Sequence, residues 1–298
     1  MSQNSKYLSE LRLGDEKSLD QKVDLRVFSL GAGVQSSYIL FQMLEDKIKL
    51  PDIALFADTG NEPKEVYDWL KKLIKISKNK IDIEIVKNNQ NTGNIIDDYK
   101  SKEGRYALIP THILKEDGTA GFGRRTCTFE YKIKPIQQKV REVLGVNNLR
   151  GKCVEMVMGI SIDEIQRAKK PPTKWQINCY PLIENNITRS QILHYMEHSN
   201  YGKAPRSACI VCPFHDNTEW KRLKENHPEE FEYAVQFDEW LRDPNSNSVG
   251  INNFRKGNSK SQQYLYRKKI PLRIANLDEP KDYQYSLFDD ECEGMCGV

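Results

Sequence analysis

No stretch of this 298-residue sequence approaches the roughly 18–20 consecutive apolar residues that a membrane-spanning helix requires, which excludes a membrane channel. The first residues, MSQNSKYLSELRLGDEK, lack the apolar core of a secretory signal, so the expectation is a cytosolic protein with no membrane partner. One charge does not dominate: 45 Lys and Arg against 42 Asp and Glu leave a net charge of +3, too balanced to mark a nucleic-acid binder. There is no internal repeat and no low-complexity segment. Charged residues at 29%, hydrophobic ones at 38% and a mean hydropathy of −0.68 fit a soluble globular protein and exclude a collagen or a largely disordered chain. A mass of 34.6 kDa predicts one large domain or two modest ones. What is there is cysteine, seven in all. A disulfide framework does not suit a reducing compartment or a chain of this size, so some of the thiols are expected to bind metal or do chemistry.

Hydrophobic periodicity orders the chain. Residues 1–22 read as a peripheral segment. Val23 to Leu30 predicts a buried strand, Gly31-Ala32-Gly33 a turn, and Gln35 to Leu44 a helix with Leu40, Met43 and Leu44 on one face. Ile53 to Ala57 predicts a second strand ending in Asp58-Thr59-Gly60. Pro63 suits the first turn of a helix carrying Val66, Trp69, Leu70, Leu73 and Ile74, and Ile81 to Val86 alternates as a third strand. Repeated strand and helix predict an α/β domain with a parallel sheet. Asn88 to Arg125 reads as a long polar loop, of the kind that covers active sites. A helix is expected from near Pro135, a fourth strand over Val154 to Ile160, a capping box at Thr188 and Gln191 opening a helix through Met196, and helix from Glu219 to Leu241 in two pieces around Pro228. Beyond Asp243 the chain reads as loop-rich.

Strand, glycine turn and helix together present backbone N–H groups and a positive helix end to an anion. The segment Ser29-Leu30-Gly31-Ala32-Gly33-Val34-Gln35-Ser36-Ser37 is not a Walker loop, because no Gly-Lys-Ser/Thr follows. It half-matches the dinucleotide fingerprint through Gly31 and Gly33, with Ser36 at the third glycine position and Asp58 placed to act as a ribose acid, so a dinucleotide oxidoreductase stays open. So does a tight turn with no ligand.

The segments that follow give this loop a context. Gly31-Ala32-Gly33-Val34-Gln35-Ser36 aligns with a Ser-Gly-Gly-x-Asp-Ser loop. Phe56-Ala57-Asp58-Thr59-Gly60 matches a strand ending in Asp-Thr-Gly, and Cys127 to Pro135 matches Cys-x₄-Lys-x₂-Pro through Lys132. Gly159 to Arg167 supplies a glycine and then an acidic-and-Arg turn, with Glu164. Tyr180-Pro181-Leu182-Ile183 and Cys209-Ile210-Val211-Cys212-Pro213 complete the order. Over roughly Val23 to Pro213 the chain resembles the phosphoadenosine phosphosulfate (PAPS) reductase family of the PP-loop ATP pyrophosphatase superfamily. Departures are visible: Gln35 replaces the loop's Asp, Gly31 its first Ser, and Ser161 stands where reductases often place an Arg.

The resemblance implies an adenine nucleotide alpha hydrolase-like (Rossmann-like, PP-loop) α/β core over 23–215 and a helical, loop-rich extension over 216–298. It implies ATP or a related adenine nucleotide, with Mg where ATP is bound, held by Ser29, Gly31, Ala32, Gly33, Gln35, Ser36, Ser37, Asp58, Thr59, Gly60, Gly159, Glu164 and Arg167. Arg124 and Arg125 are cations suited to clamping a phosphate or sulfate. Alternatively they are a solvated surface pair. Cys209 and Cys212 have the C-x₂-C spacing that lets two thiolates reach one metal or cluster. Cys127 belongs to the segment that carries cluster ligands in this family, although Thr128 replaces the second cysteine found there. Three thiolates suit a [4Fe–4S] cluster with one iron open. The rival is tetrahedral zinc with His215 added, and a buried thiol set with no metal is the third alternative. Cys179 is another possible fourth ligand, and Cys153 reads as core.

Cys292 and Cys296 lie on a glycine-containing tail that loosely resembles the catalytic Glu-Cys-Gly tail of reductases, although Glu291 and Glu293 disfavour thiolate formation. A second unassigned feature is the basic stretch from Arg255 to Arg273, interleaved with Phe254, Tyr264 and Tyr266, which suits contact with nucleic acid as well as plain solvation. The expected function is adenylylation-dependent sulfur transfer with Cys127, Cys209 and Cys212, with homo-oligomerisation possible. The rivals are a thiol-dependent PAPS or adenosine phosphosulfate reductase releasing sulfite, and a non-catalytic nucleotide or nucleic-acid binding module with structural zinc.

Overall fold

Five short apolar runs form a parallel sheet because each is followed by a chain segment that returns over one of its faces. The computed structural model describes residues 22–90, 92–101, 108–171, 173–244, 246 and 261–279. In chain order these contain β1 (Leu25–Ser29), α1 (Val34–Leu44), β2 (Ile53–Asp58), α2 (Lys64–Ser77), β3 (Ile83–Lys87), α3 (Ile95–Lys100), β4 (His112–Leu114) and β5 (Ala120–Phe122). A π-helical turn (Phe129–Ile133) then leads into α4 (Lys134–Val143), followed by β6 (Val154–Val157), a 3₁₀ turn (Ile162–Arg167) and β7 (Gln176–Cys179). The short α5 (Pro181–Glu184), α6 (Arg189–His198), α7 (Asn217–Asn226), α8 (Pro228–Trp240) and β8 (Gln262–Tyr264) complete the order.

The large sheet runs β3-β2-β1-β6-β7, all parallel, which gives the α/β fold that the alternation of elements predicts. Successive strand residues feed opposite cores. Phe28, Ala54 and Phe56 pack with Leu40 and Phe41 of α1 and Leu70 of α2 on one face. Val27, Leu55 and Met156 pack with Ile136 and Val140 of α4 on the other. Strands buried on both faces are what βαβ connections require. The capping box at Thr188 and Gln191 forms, and the break between α7 and α8 falls at His227, just ahead of Pro228.

The segment expected to be a long loop, Asn88 to Arg125, is different. It contains α3, capped by Asn94, whose side chain accepts from Ile96 N at 2.8 Å and Asp97 N at 3.2 Å. It also contains β4 and β5, which form a second, antiparallel sheet in the order β5-β4-β8. Three-residue strands are too short to show a period, and β4 finds its second partner about 150 residues later. α3 and the segments flanking this sheet, at Ile109 and Leu265, share a third core with α7 and α8, in which Ile95, Tyr99, Tyr131, Trp220, Phe237 and Leu265 meet. That core joins residues on both sides of position 215.

Candidate functional site

At the sheet's carboxyl edge, β1 is the point where strand order reverses: β2 lies to one side and β6, a much later strand, to the other. Open α/β sheets bind ligands in the crevice at such a point. The chain leaving β1 turns through Ala32, whose φ is +56°, and enters α1 with Gly33 as N-cap. No side chain caps α1 and no acidic residue occupies its first turn, so its N–H groups and positive end are not neutralised locally. Gly159, after β6, lies against that end: a Cβ there would sit 3.0 Å from Ser36 N. Gln35 Nε2 donates to Ser161 Oγ at 2.6 Å and to Glu164 Oε2 at 2.8 Å, and Glu164 also holds Arg167 at 2.7 Å. Ser36 Oγ donates to the Gly33 carbonyl at 3.3 Å, while Ser37 Oγ accepts from Trp69 Nε1 at 2.8 Å. Two buried polar atoms of this loop, Ser29 Oγ and Gln35 Oε1, have no hydrogen-bond partner. The arrangement fits a phosphate-bearing ligand held mainly by backbone.

One strand over, Asp58 is occupied in building its own turn. Its Oδ1 accepts from Gly60 N at 2.8 Å and the Tyr67 hydroxyl at 2.7 Å, and its Oδ2 pairs with Lys87 at 2.9 Å. Burial and the Asp58 carboxylate raise the Tyr67 phenol well above its ordinary range. Gly60 has φ +69°, and a Cβ would meet Gly93 O at 2.7 Å and Asn94 Cα at 2.8 Å. Asn94 Nδ2 donates to the Gly60 carbonyl at 2.8 Å, and Ile95 N to that of Thr59 at 2.9 Å. Asn94 thus ties the Asp-Thr-Gly turn to α3, a role its position in an apparent loop did not reveal.

Thr59 also faces the cysteines. Cys127, at the start of the helical turn before α4, and Cys209 and Cys212, on the loop before α7, line one cavity together with Thr59, Arg125 and Lys132. Ile210 N donates to the Asn61 carbonyl at 2.9 Å, which anchors the cysteine loop to the end of β2. Thr59 Oγ1 lies 3.3 Å from Cys209 Sγ and 3.2 Å from Glu62 Oε1. Glu62, buried, stands 4.0 Å from the buried ammonium of Lys132, and its Oε2 has no hydrogen-bond partner. Burial raises the Glu62 carboxyl, with Lys132 opposing. Burial and the neighbouring Glu62 likewise push the Cys209 thiol well up. Sequence reasoning missed Glu62; its signal was a carboxylate two residues past the Asp-Thr-Gly turn.

By its chemistry the donor set fits a soft metal or an iron–sulfur group: three thiols, none in a disulfide, on one cavity. Among the described residues, however, no three His, Cys, Asp or Glu side chains are drawn together closely enough to hold a metal ion. His215 does not line the cavity. Its Nε2 donates to the Cys209 carbonyl at 2.9 Å, and its ring stands edge-on to Trp220. Cys179 lies in β7 with its sulfur 3.7 Å from the Arg26 guanidinium, and Cys153 is buried against Ile177. Arg124 and Arg125 are both exposed, and the Arg125 guanidinium lies over the Phe214 ring at 5.2 Å. Cys292, Cys296 and the part of the basic stretch from Arg255 to Lys260 lie outside the described residues. Of the rest, Tyr264 and Tyr266 are buried, and Arg273 pairs with Glu232 and Glu239.

No family model matches the chain, and no curated protein matches it. Among solved structures it is similar to a PAPS reductase from Candida auris in a phosphate complex, at 16% identity and a TM-score of 0.37. That likeness covers 62% of this chain and 76% of the other. It is also similar to the U34-tRNA thiolase NcsA from Methanococcus maripaludis with its [4Fe-4S] cluster, at 16% identity and a TM-score of 0.40, over 82% of this chain and 80% of that one. Likenesses this distant carry no argument about chemistry. Among the described residues no helix is long and apolar enough to cross a membrane.

Proposed function

We propose that this chain is a PP-loop-type enzyme that binds an adenine nucleotide, activates an acceptor oxygen by adenylylation and replaces that oxygen with sulfur. The observation that carries this reading is the convergence of Cys127, Cys209 and Cys212 on one cavity beside the Asp58-Thr59-Gly60 turn. That turn lies one strand from the phosphate-type loop.

In this reading the N–H groups and positive end of α1 hold the nucleotide's phosphates, with Ser29 Oγ and Gln35 Oε1 as further polar contacts. Mg²⁺ accompanies ATP as part of the substrate. The acceptor oxygen attacks the α-phosphorus, the bond to the β-phosphate breaks, and pyrophosphate leaves. A sulfur nucleophile then attacks the activated carbon and AMP departs with the oxygen. Lys132 and Arg125 on the cavity wall offset the negative charge gathered there. Lys132 is held for that task by Glu62. A soft metal or iron–sulfur group would be held by Cys127, Cys209 and Cys212, and would supply a place for a sulfur species to bind.

The test is chemical. Anaerobically purified protein is analysed for iron, sulfide and zinc, then given ATP and candidate acceptors. Pyrophosphate release that depends on all three cysteines supports the reading. Sulfite formed from PAPS with a thiol donor would replace it with the reductase reading, in which Cys292 or Cys296 is the nucleophile. One zinc with no turnover would replace it with a binding module.

A further inference from the structure

The mouth of the cysteine cavity has aromatic and cationic features that sulfur transfer alone does not use. Phe122, on β5, is a large apolar side chain left 47% exposed. Its ring centroid lies 5.4 Å from that of Phe214, which itself lines the cavity, and 4.9 Å from the ring of His112. The Arg125 guanidinium stands over Phe214. Around this platform Arg124 is exposed, and Arg267 and Lys269 lie near enough to His112 to act on its charge. None of these last three forms an ion pair among the described residues.

We propose that this mouth binds a single-stranded nucleic acid, with an unpaired base stacked on Phe122, the tilted Phe214 ring at its edge, and the backbone phosphates on Arg124, Arg267 and Lys269. The inference rests on the sulfur-transfer reading and names its acceptor as a group on that nucleic acid. Cations flanking an exposed ring match a polyanion that carries flat, apolar bases. A base-paired duplex offers no free ring face at this position, and an acidic peptide has no use for the paired rings. Of the three aromatic residues that the sequence suggested for such contact, Tyr264 and Tyr266 are buried in the core and Phe254 lies outside the described residues, so the proposed site lies on β5 and the cysteine loop instead.

The experiment is fluorescence anisotropy with the full chain, free of added nucleotide, and labelled 15-nucleotide RNA and DNA strands. Phe122→Ala should weaken binding about tenfold, the loss of roughly one stacked base. Arg267→Gln should lower the slope of log affinity against log salt by about 0.7, one phosphate contact. Leu193→Ala, an exposed apolar side chain on α6, should change neither, and thermal melts should show all three variants folded. The proposal is overturned if neither strand binds, if Phe122→Ala binds as tightly as the parent, or if duplex or free AMP competes as well as the strand. Strand binding without pyrophosphate release would sink the sulfur-transfer reading alone. Pyrophosphate release with a small acceptor and no strand binding would sink this one alone.

Discussion

The Nε2 of Gln35 donates a hydrogen bond of 2.6 Å to the Oγ of Ser161, across the crevice between β1 and β6. Both residues depart from the PP-loop pattern that the sequence resembles, and the structure shows the two departures to be partners. A neutral amide donor at position 35 serves the Ser161 hydroxyl and the Glu164 carboxylate together, and Glu164 in turn holds Arg167. A carboxylate at position 35 would instead face Glu164.

Gln35→Asp is therefore expected to destabilise the protein. It removes two hydrogen bonds and sets two carboxylates against each other in a buried place, a cost of about 2–4 kcal/mol. Thermal unfolding should shift down by roughly 3–6 °C for a chain of this size. An unchanged midpoint would show that position 35 tolerates the usual acid and that the pairing with Ser161 is incidental.

Gly60→Ala tests the neighbouring turn. The positive φ alone costs an L-residue about 1–2 kcal/mol. The added Cβ would also press on the backbone of Gly93 and Asn94, which cannot yield as a side chain would. A loss of at least about 2 kcal/mol is expected, read by denaturant unfolding, with the Thr59–Cys209 contact disturbed as Thr59 moves. Gly118→Ala is the comparison: its φ is also positive, but no atom lies within 4 Å of its added Cβ, so its cost should be smaller.

The parallel sheet and the loop at Gly31 were legible because both leave local patterns: apolar runs bounded by turns, and glycine spacing. The cysteine cavity was legible only through the order of several motifs, since Cys127 and Cys209 come to line one cavity by folding across 82 positions. Glu62, Asn94 and Phe122 were not legible. Glu62 looks like any charged residue ahead of a helix. Asn94 caps a helix of only six residues, and Phe122 sits in a three-residue strand whose sheet is completed by β8. Short elements stabilised by distant partners carry no period to read.

Thiol labelling separates the cysteines by environment. Cys127, Cys209 and Cys212 are half-buried on a cavity, whereas Cys153 and Cys179 are 1% and 4% exposed within the sheet. In native protein stripped of metal, a small alkylating reagent should modify Cys127 and Cys212 first and Cys209 more slowly, because burial and Glu62 hold its thiol in the protonated form. Cys153 and Cys179 should react only after unfolding, as mass spectrometry of the digested protein would show. Rapid native labelling of Cys179 would contradict the packing of β7. Bound metal should protect Cys127, Cys209 and Cys212 together; protection of only the C-x₂-C pair would remove Cys127 from the ligand set.

Acid stability should depend on His112. Burial, partly opposed by the contact of its Nε2 with the Pro213 carbonyl at 3.2 Å, lowers its pKa to about 4, and the positive charges of Lys269 and Arg267 add to the lowering. The unfolded chain takes up a proton near pH 6.5 and the folded one does not until about pH 4, so the unfolded state binds more protons between these values. Stability is accordingly unaffected by His112 above about pH 6.5, falls as the pH drops from there towards 4, and levels off below. The full effect is on the order of 2 kcal/mol after allowance for solvent screening. His112→Gln cannot titrate, so the difference in unfolding free energy between parent and variant should change with pH only inside that window. A pH-independent difference would place the His112 ring in contact with solvent and remove it from the buried edge of the Phe122 platform.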